Sequence, residues 1–393
     1  MKLAQRMSRL GTETAFEVLV RAKALEAQGR EVVHLEIGEP DFDTPANIIE
    51  AACRALRSGY THYVPSAGIP ELREAIAEDV SKSRGIQVNP NQVVVTPGAK
   101  PIMFFVILAL AESGDEVIYP NPGFPIYESM INFVGATPVP LRLLEEREFG
   151  FDVDELRSKV NPRTKLIIIN SPHNPCGSML SREELAAIAE IVSKYDAMIL
   201  SDEIYSRIVY DGEFVSITSF PRMAERTIIL DGFSKTYAMT GWRMGYGVMP
   251  EALAAQVAKL MTNSNSCTAA FTQVAGIEAL RGPQDESRKM VAAFKERRDF
   301  IVKGLNEIPG IRCLLPKGAF YVFPNVKEIV HRGKFANTKA LADALLQEAG
   351  VATLSGTAFG EYGEGYLRLS YANSIQNLEK ALQRIGEFVT KLP

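Results

Sequence analysis

Between residues 90 and 250 the chain alternates short β-branched runs with helical segments, and this alternation constrains the fold more than any other feature. The runs VVVTPG, DEVIYP, TKLIIINSP, AMILSDE and TIILDGFSK have the composition of buried strands, whereas PIMFFVILALA and LAAIAEIVSKY have that of helices. Such alternation predicts βαβ units and a mainly parallel sheet covered on both faces. We predict an α/β fold with a mainly parallel, seven-stranded-type sheet flanked by helices.

The pattern changes towards both ends of the chain. Residues 15–28 have the apolar spacing of a helix that Gly29 would cap. Towards the C terminus, helices alternate with the strand-like runs GAFYVFP and GYLRLSYA. We therefore predict an N-terminal arm with part of a small α+β domain over 1–45, a large domain over 46–290, and the rest of the small domain over 291–393.

Charge and composition exclude several classes of protein. The 43 Lys and Arg residues are balanced by 47 Asp and Glu residues, so binding to nucleic acid through phosphate neutralisation is not expected. The four cysteines form no C-x-x-C pair and the four histidines are far apart, which predicts free thiols in a reducing cytoplasm and no metal site. Neither a signal peptide nor an apolar run of the ~20 residues that cross a bilayer is present.

Two common catalytic motifs are missing, and a third is incomplete. There is no G-x-x-x-x-G-K-[ST] phosphate loop and no G-x-S-x-G nucleophile elbow. The run from Gly245 to Gly247 lacks the third glycine of a dinucleotide fingerprint. Hydride transfer and serine hydrolysis are therefore poorly supported.

Residues that carry chemistry follow four of the predicted strands, at the sheet edge where α/β proteins bind ligands. The clusters span 96–100, 170–177, 201–205 and 231–245. Each also has a purely structural interpretation, such as a turn, an Asx loop or a helix N-cap. Lys235 is the most unusual member, because a lysine directly after a buried strand departs from the surface position that lysines usually take.

The run from Gly232 to Gly245 resembles, position for position, the lysine-attachment signature of class I pyridoxal-phosphate-dependent aminotransferases, which have fold type I. Asn174-Pro175, Asp202 with Tyr205, and Arg368 fall in the family's order and at its usual separations. The segments GEPDFDTP, YVPSAGIPELREAI and GAFYVFP are also similar to family segments. The resemblance covers essentially the whole chain and is closest to the aspartate aminotransferase-like branch.

The resemblance implies the catalytic residues. Pyridoxal 5'-phosphate would form a Schiff base with Lys235, which would also move a proton between the substrate Cα and the cofactor. Asp202 would hold the protonated pyridine nitrogen, and Asn174 and Tyr205 would donate to the phenolic oxygen. Phe124 would stack on the ring.

It also implies residues for the cofactor phosphate and the substrate. Further cofactor-binding residues are Gly98, Ala99, Lys100, Ser234, Arg243 and, from a neighbouring subunit of a homodimer, Tyr63. Arg368 would bind the substrate α-carboxylate as a bidentate partner, with support from Gly38, Phe124 and Asn174.

The implied reaction moves the amino group of an L-α-amino acid to a 2-oxo acid, with aspartate and 2-oxoglutarate as the leading pair. Alanine or aromatic substrates, β-elimination by a lyase and a non-catalytic sensor on the same fold remain alternatives. The chain departs from close relatives at Phe124, His173, Cys176 and Gly232, where Trp, Asn, Thr and a hydroxyl residue are frequent.

The N-terminal arm leaves substrate choice open. Glu13 or Glu17 in the pocket would repel a distal carboxylate, and Phe16 would favour an apolar side chain, unless these residues face solvent or core.

Overall fold

The computed structural model describes residues 1–393. Its α-helices are Thr14–Glu26 (α1), Ala46–Arg57 (α2), Pro70–Arg84 (α3), Lys100–Leu110 (α4), Ile126–Val134 (α5), Val153–Lys159 (α6), Arg182–Val192 (α7), Glu251–Ser264 (α8), Ala270–Arg281 (α9), Asp285–Asn306 (α10), Lys327–Arg332 (α11), Thr338–Ala344 (α12) and Ile375–Thr390 (α13). The first of them begins and ends close to the predicted 15–28. None of the helices combines the length and apolarity that a membrane crossing requires.

The strands form one large sheet and two small ones. They are Val33–His34 (β1), Val93–Thr96 (β2), Glu116–Asn121 (β3), Thr137–Leu144 (β4), Gly150–Phe151 (β5), Thr164–Asn170 (β6), Met198–Asp202 (β7), Thr227–Gly232 (β8), Gly245–Val248 (β9), Tyr321–Val322 (β10), Val351–Ala352 (β11), Leu354–Ser355 (β12) and Leu367–Ser370 (β13). The large sheet has the order β2-β9-β8-β7-β6-β3-β4-β5.

The predicted mainly parallel sheet is confirmed. Strands β4, β3, β6, β7 and β8 are mutually parallel, and β9 runs antiparallel between β8 and β2. The sheet has an eighth strand, because residues Glu148 and Phe149 adopt positive φ and turn the chain back so that the two-residue β5 pairs with β4. The carboxyl ends of β2, β3, β6, β7 and β8 therefore share one edge.

Helices cover both faces of this sheet, which explains why its strands are apolar without alternation. On β6, Leu166 and Ile168 pack towards α4, α5 and α8, whereas Ile167 and Ile169 pack towards α7 on the opposite face. Both sets are buried. The sequence run TKLIII is thus the signature of a strand with two covered faces.

Residues from both chain ends build the smaller α+β part. Strand β1 pairs in parallel with β11, and β10, β13 and β12 form an antiparallel sheet. Its core includes Leu35 from the N-terminal side together with Phe294, Tyr321 and Leu369. This packing places Arg368, in β13, beside the segment that follows β1.

Candidate active site

The four predicted clusters meet at one edge of the large sheet. Asn170 and Asp202 are register partners at the ends of β6 and β7. Gly232 ends β8, and Gly98 follows β2. Because these strands share a direction, their carboxyl ends open into the same crevice.

Lys235 lies in this crevice with its amine turned towards the N-terminal segment. Its Nζ donates a hydrogen bond to the carbonyl oxygen of Gly38 at 2.5 Å and lies 5.9 Å from the centre of the Phe320 ring. Burial lowers the pKa of Lys235 to about 8, and the nearby Arg368 also lowers it, whereas Glu39 acts in the opposite direction. A substantial fraction of neutral amine is therefore available near pH 8, as a nucleophile or a base requires.

Asp202 is a buried carboxylate with no cationic partner in the chain. Tyr127 donates its hydroxyl to Oδ2 at 2.6 Å, and the Ile204 N–H donates to Oδ1 at 3.3 Å. Burial raises the pKa of Asp202 to about 6 although both hydrogen bonds oppose the shift. A buried carboxylate of this kind is suited to a cationic ligand.

Amide groups fix the loop beside this carboxylate. Asn170 Nδ2 donates to the backbone oxygen of Asp202 at 2.9 Å, and its Oδ1 accepts the backbone N–H of Asn174 at 2.9 Å. The side chains of Asp202, Tyr127, Asn170 and Asn174 are all buried, and we call these four residues the inner wall.

Arg368 is a buried cation without a carboxylate partner. Its Nη1 donates to Asn174 Oδ1 at 3.4 Å, Nη2 donates to the carbonyl oxygen of Glu36, and Nε has no partner. The guanidinium lies 4.6 Å from the ring centre of Tyr321 and 5.0 Å from that of Phe359. Burial lowers the pKa of Arg368. An incoming carboxylate would satisfy this group.

Tyr205 and Tyr321 form a hydrogen-bonded pair, and the Tyr321 ring contacts Arg368. Their hydroxyl oxygens lie 2.7 Å apart, and burial raises the pKa of Tyr205 well above its ordinary value. Tyr205 therefore stays protonated and is able to donate a hydrogen bond to a ligand oxygen.

The start of α4 forms a cradle for an anion. The first backbone N–H groups of a helix have no intrahelical acceptor, so Gly98, Ala99 and Lys100 offer theirs to the crevice. A Cβ at Gly98 would lie 2.3 Å from Arg243 Nη2, and one at Gly245 would lie 2.3 Å from the Ala99 nitrogen. The two glycines thus let Arg243 and β9 approach the cradle. The hydroxyl of Ser234 makes no hydrogen bond within the chain.

The opening of the crevice is lined by Glu13, Lys100 and Phe124, which we call the rim. Lys100 Nζ lies 5.4 Å from the centre of the Phe124 ring and forms an ion pair with Glu13 of the N-terminal arm. The Phe124 ring meets the ring of Tyr127 edge-on at 5.7 Å, which connects the rim to the inner wall.

Three other residues singled out in the sequence lie away from this constellation. Phe16 is 58% exposed and Glu17 is also exposed, so of the arm residues Glu13 alone enters the rim. Tyr63 is 88% exposed on the chain that carries it.

Sequence reasoning missed the two tyrosines that link the site. Tyr127 follows Phe124 by one helical turn, and this spacing alone does not point to Asp202. Tyr321 lies in GAFYVFP, and the similarity of this segment to family segments does not by itself give the residue a role. Asn170 belonged to a noted cluster, and its register with Asp202 supplies the role.

The comparisons with known proteins agree with this geometry. Residues 30–385 match the model of the family described as aminotransferase class I and II. The chain belongs to this family. It is 40% identical to an aspartate aminotransferase of Bacillus subtilis over the full length of both chains.

Two further relatives show the breadth of the family around this aminotransferase. An aromatic-amino-acid aminotransferase of Thermococcus litoralis is 41% identical and matches 91% of this chain and 92% of its own. A solved structure of aspartate aminotransferase from Thermus thermophilus with maleate has a TM-score of 0.93 at 38% identity and covers 98% of this chain and 99% of its own.

The protein is therefore a pyridoxal 5'-phosphate-dependent enzyme that transfers an amino group between an amino acid and a 2-oxo acid. The crevice fits this cofactor: it holds an amine of lowered pKa, a buried carboxylate, and an anion cradle into which an arginine points. The family assignment sets aside the non-catalytic sensor.

Proposed function

We propose that this aminotransferase uses L-aspartate as amino donor and 2-oxoglutarate as acceptor. The full-length similarity to aspartate aminotransferases supports this substrate class. The observation that carries the proposal is the presence of two cations with different surroundings in the candidate site. Arg368 lacks a carboxylate partner in the buried part of the site, and Lys100 lies at the rim. A dicarboxylate has one carboxylate for each.

The cofactor would be held by the residues that the sequence indicated. Lys235 would bind it covalently through Nζ, Asp202 would face its ring nitrogen, and Asn174 and Tyr205 would donate to its phenolic oxygen. Phe124 would pack on the ring. The phosphate would lie in the cradle of Gly98, Ala99 and Lys100, with the Ser234 hydroxyl and Arg243.

When bound, pyridoxal 5'-phosphate supplies an electron sink for the electrons that Cα releases. Asp202, when ionised, would keep a proton on the ring nitrogen. Lys235 Nζ, neutral in part because of its lowered pKa, would take the proton from the substrate Cα and deliver it to the cofactor, so that the amino group stays behind when the 2-oxo acid leaves. Arg368 and Asn174 orient the substrate through its α-carboxylate, and Gly38 supports this position.

The division of the chain into domains at residues 45 and 290 remains our proposal. We also propose a reducing cytoplasm as its compartment, which the four free cysteines support.

We also propose a homodimer in which Tyr63 reaches the phosphate bound by the other subunit. Its exposed ring, with exposed Leu56 and Tyr60 nearby in the chain, supports an interface there.

The test is a two-substrate assay of the cofactor-loaded protein. L-Aspartate with 2-oxoglutarate should yield oxaloacetate, measured by its coupled reduction, at a kcat/KM above that of alanine or phenylalanine with the same acceptor. Release of ammonia together with a 2-oxo acid would instead indicate elimination. Conversion of no amino acid at all would overturn the proposal.

Aromatic amino acids are the second candidate. The ion pair between Glu13 and Lys100 leaves the rim without net charge, which suits an uncharged side chain. A higher kcat/KM for phenylalanine than for aspartate in the same assay would favour this candidate.

A further inference from the structure

Glu13 is the only acidic residue of the N-terminal arm that pairs with a cation of the site. It precedes α1 directly, its side chain is 18% exposed, and its carboxylate contacts Lys100 Nζ. The charge of Glu13 also acts on Lys235, Tyr321 and Arg368. This carboxylate therefore faces the same crevice as the residues that would contact substrate.

Lys100 is the one cation of the crevice that remains for a second substrate carboxylate. Arg243 points into the cradle beside Gly98, and Arg368 is buried next to Asn174. The side chain of Lys100 is 44% exposed and lies over the ring of Phe124. In the structure its charge is already matched by Glu13.

We propose that Glu13 is a specificity-determining residue that competes with the distal carboxylate of a dicarboxylic substrate for Lys100. This inference rests on the proposed function and deepens it. A dicarboxylate exchanges partners with Lys100 and displaces the Glu13 side chain. An apolar amino acid leaves the ion pair in place. The same site thus accepts both classes, and Glu13 sets the ratio between them.

The backbone of the arm does not need to leave for this exchange. Gly11 N–H donates to Ser129 Oγ at 2.9 Å, and Arg9 donates to the carbonyl oxygen of Phe133 at 3.2 Å. Both contacts anchor the arm on α5. Rotation of the Glu13 side chain alone frees Lys100, so the exchange costs little more than one partly exposed ion pair.

The test is a binding experiment on the cofactor-loaded enzyme that needs no turnover. Succinate, a dicarboxylate without an amino group, and 3-phenylpropionate, an apolar monocarboxylate, are titrated by calorimetry. Glu13→Gln should bind succinate about threefold to fivefold more tightly than the unmodified protein, as expected for removal of a competing carboxylate at a partly exposed pair. Its dissociation constant for 3-phenylpropionate should stay within about twofold.

Two further variants separate this competition from a general effect of charge. Glu17→Gln removes the same charge from an exposed position of the arm and should leave both dissociation constants unchanged. Lys100→Met should weaken succinate binding, and Glu13→Gln should tighten succinate binding less in the Lys100→Met protein than in the unmodified one.

Two results would overturn the inference: equal tightening of both probes by Glu13→Gln, or unchanged succinate binding. The proposed function fails separately, through the absence of turnover in the two-substrate assay. A loss of aspartate turnover with the succinate pattern intact would leave the competition standing.

Discussion

The inner wall and the rim are two parts of the same crevice, and each is held together by a different kind of interaction. The inner wall consists of buried groups at the ends of neighbouring parallel strands, tied to each other by backbone and amide hydrogen bonds. The rim depends on a partly exposed ion pair between a helix start and the N-terminal arm. The first arrangement is rigid and suited to one cofactor, and the second can exchange partners and suits several substrates.

The largest expected effect comes from Lys235, which lies in the same crevice. Lys235→Ala should lower kcat for aspartate by at least on the order of 10⁴-fold, because it removes both the nucleophile and the base. Intact-protein mass after borohydride reduction should show no covalently held cofactor. Unchanged kcat in a folded variant would contradict the proposed role.

The inner wall itself is tested by Asp202→Asn, with Tyr127→Phe as the milder companion. Loss of the buried negative charge should lower kcat on the order of 10²- to 10³-fold, since a preorganised charge is lost where charge develops. Loss of the Tyr127 hydroxyl should cost about tenfold, because Asp202 keeps its charge and its Ile204 hydrogen bond. An equal loss of kcat in the two variants would contradict the larger effect that we expect from the buried charge.

Arg368→Lys sharpens the comparison at the α-carboxylate. A lysine keeps the charge and loses the fork, so KM for aspartate should rise about 30-fold through loss of a charge-assisted hydrogen bond, with a smaller change in kcat. Steady-state kinetics with aspartate and alanine should give the same factor, since both have an α-carboxylate. A rise in KM for aspartate but not for alanine would instead assign Arg368 to the distal carboxylate.

The smallest effect concerns the stability of the loop behind the inner wall. His173 is fully enclosed, and burial lowers its pKa to about 3 from its ordinary value of 6.5. Between those values an unfolded chain binds a proton that the folded chain refuses, so stability falls as pH decreases. His173→Gln should reduce the slope of the free energy of unfolding against pH by about 1.4 kcal/mol per unit below pH 6.5.

Denaturant unfolding at pH 6.5, 5.5 and 4.5 measures this slope. The raised pKa of Asp202 acts with the opposite sign, and comparison of the two proteins cancels it because both contain Asp202. Parallel slopes would show that His173 takes up a proton in the folded state.

The same contrast explains what could be predicted from the sequence. Asp202 follows AMILS and Lys235 follows TIILDGFS, so apolar runs locate both residues at strand ends, and the parallel sheet brings them together. Lys100 and Glu13 are far apart in the chain, and Glu13 lies just before α1 in a segment that contains no strand. Their contact depends on tertiary packing that no local pattern encodes.

Two other features of the structure are not revealed by local patterns in the sequence. The bond from Tyr127 to Asp202 joins a helix to a strand across the sheet edge, and either residue has an ordinary local environment in the sequence. The two-residue β5 depends on a reversal at Glu148 and Phe149, residue types that do not favour positive φ.

The close approach of Gly245 to the Ala99 nitrogen has a consequence for the evolvability of the enzyme. Any larger residue at position 245 would push β9 away from the cradle, so only glycine fits at that position. Glu13, in contrast, contacts the partly exposed tip of Lys100, so a substitution there leaves the backbone of the cradle in place. The substrate range of the enzyme can therefore change through substitutions in the arm, while the residues that would bind the cofactor stay the same.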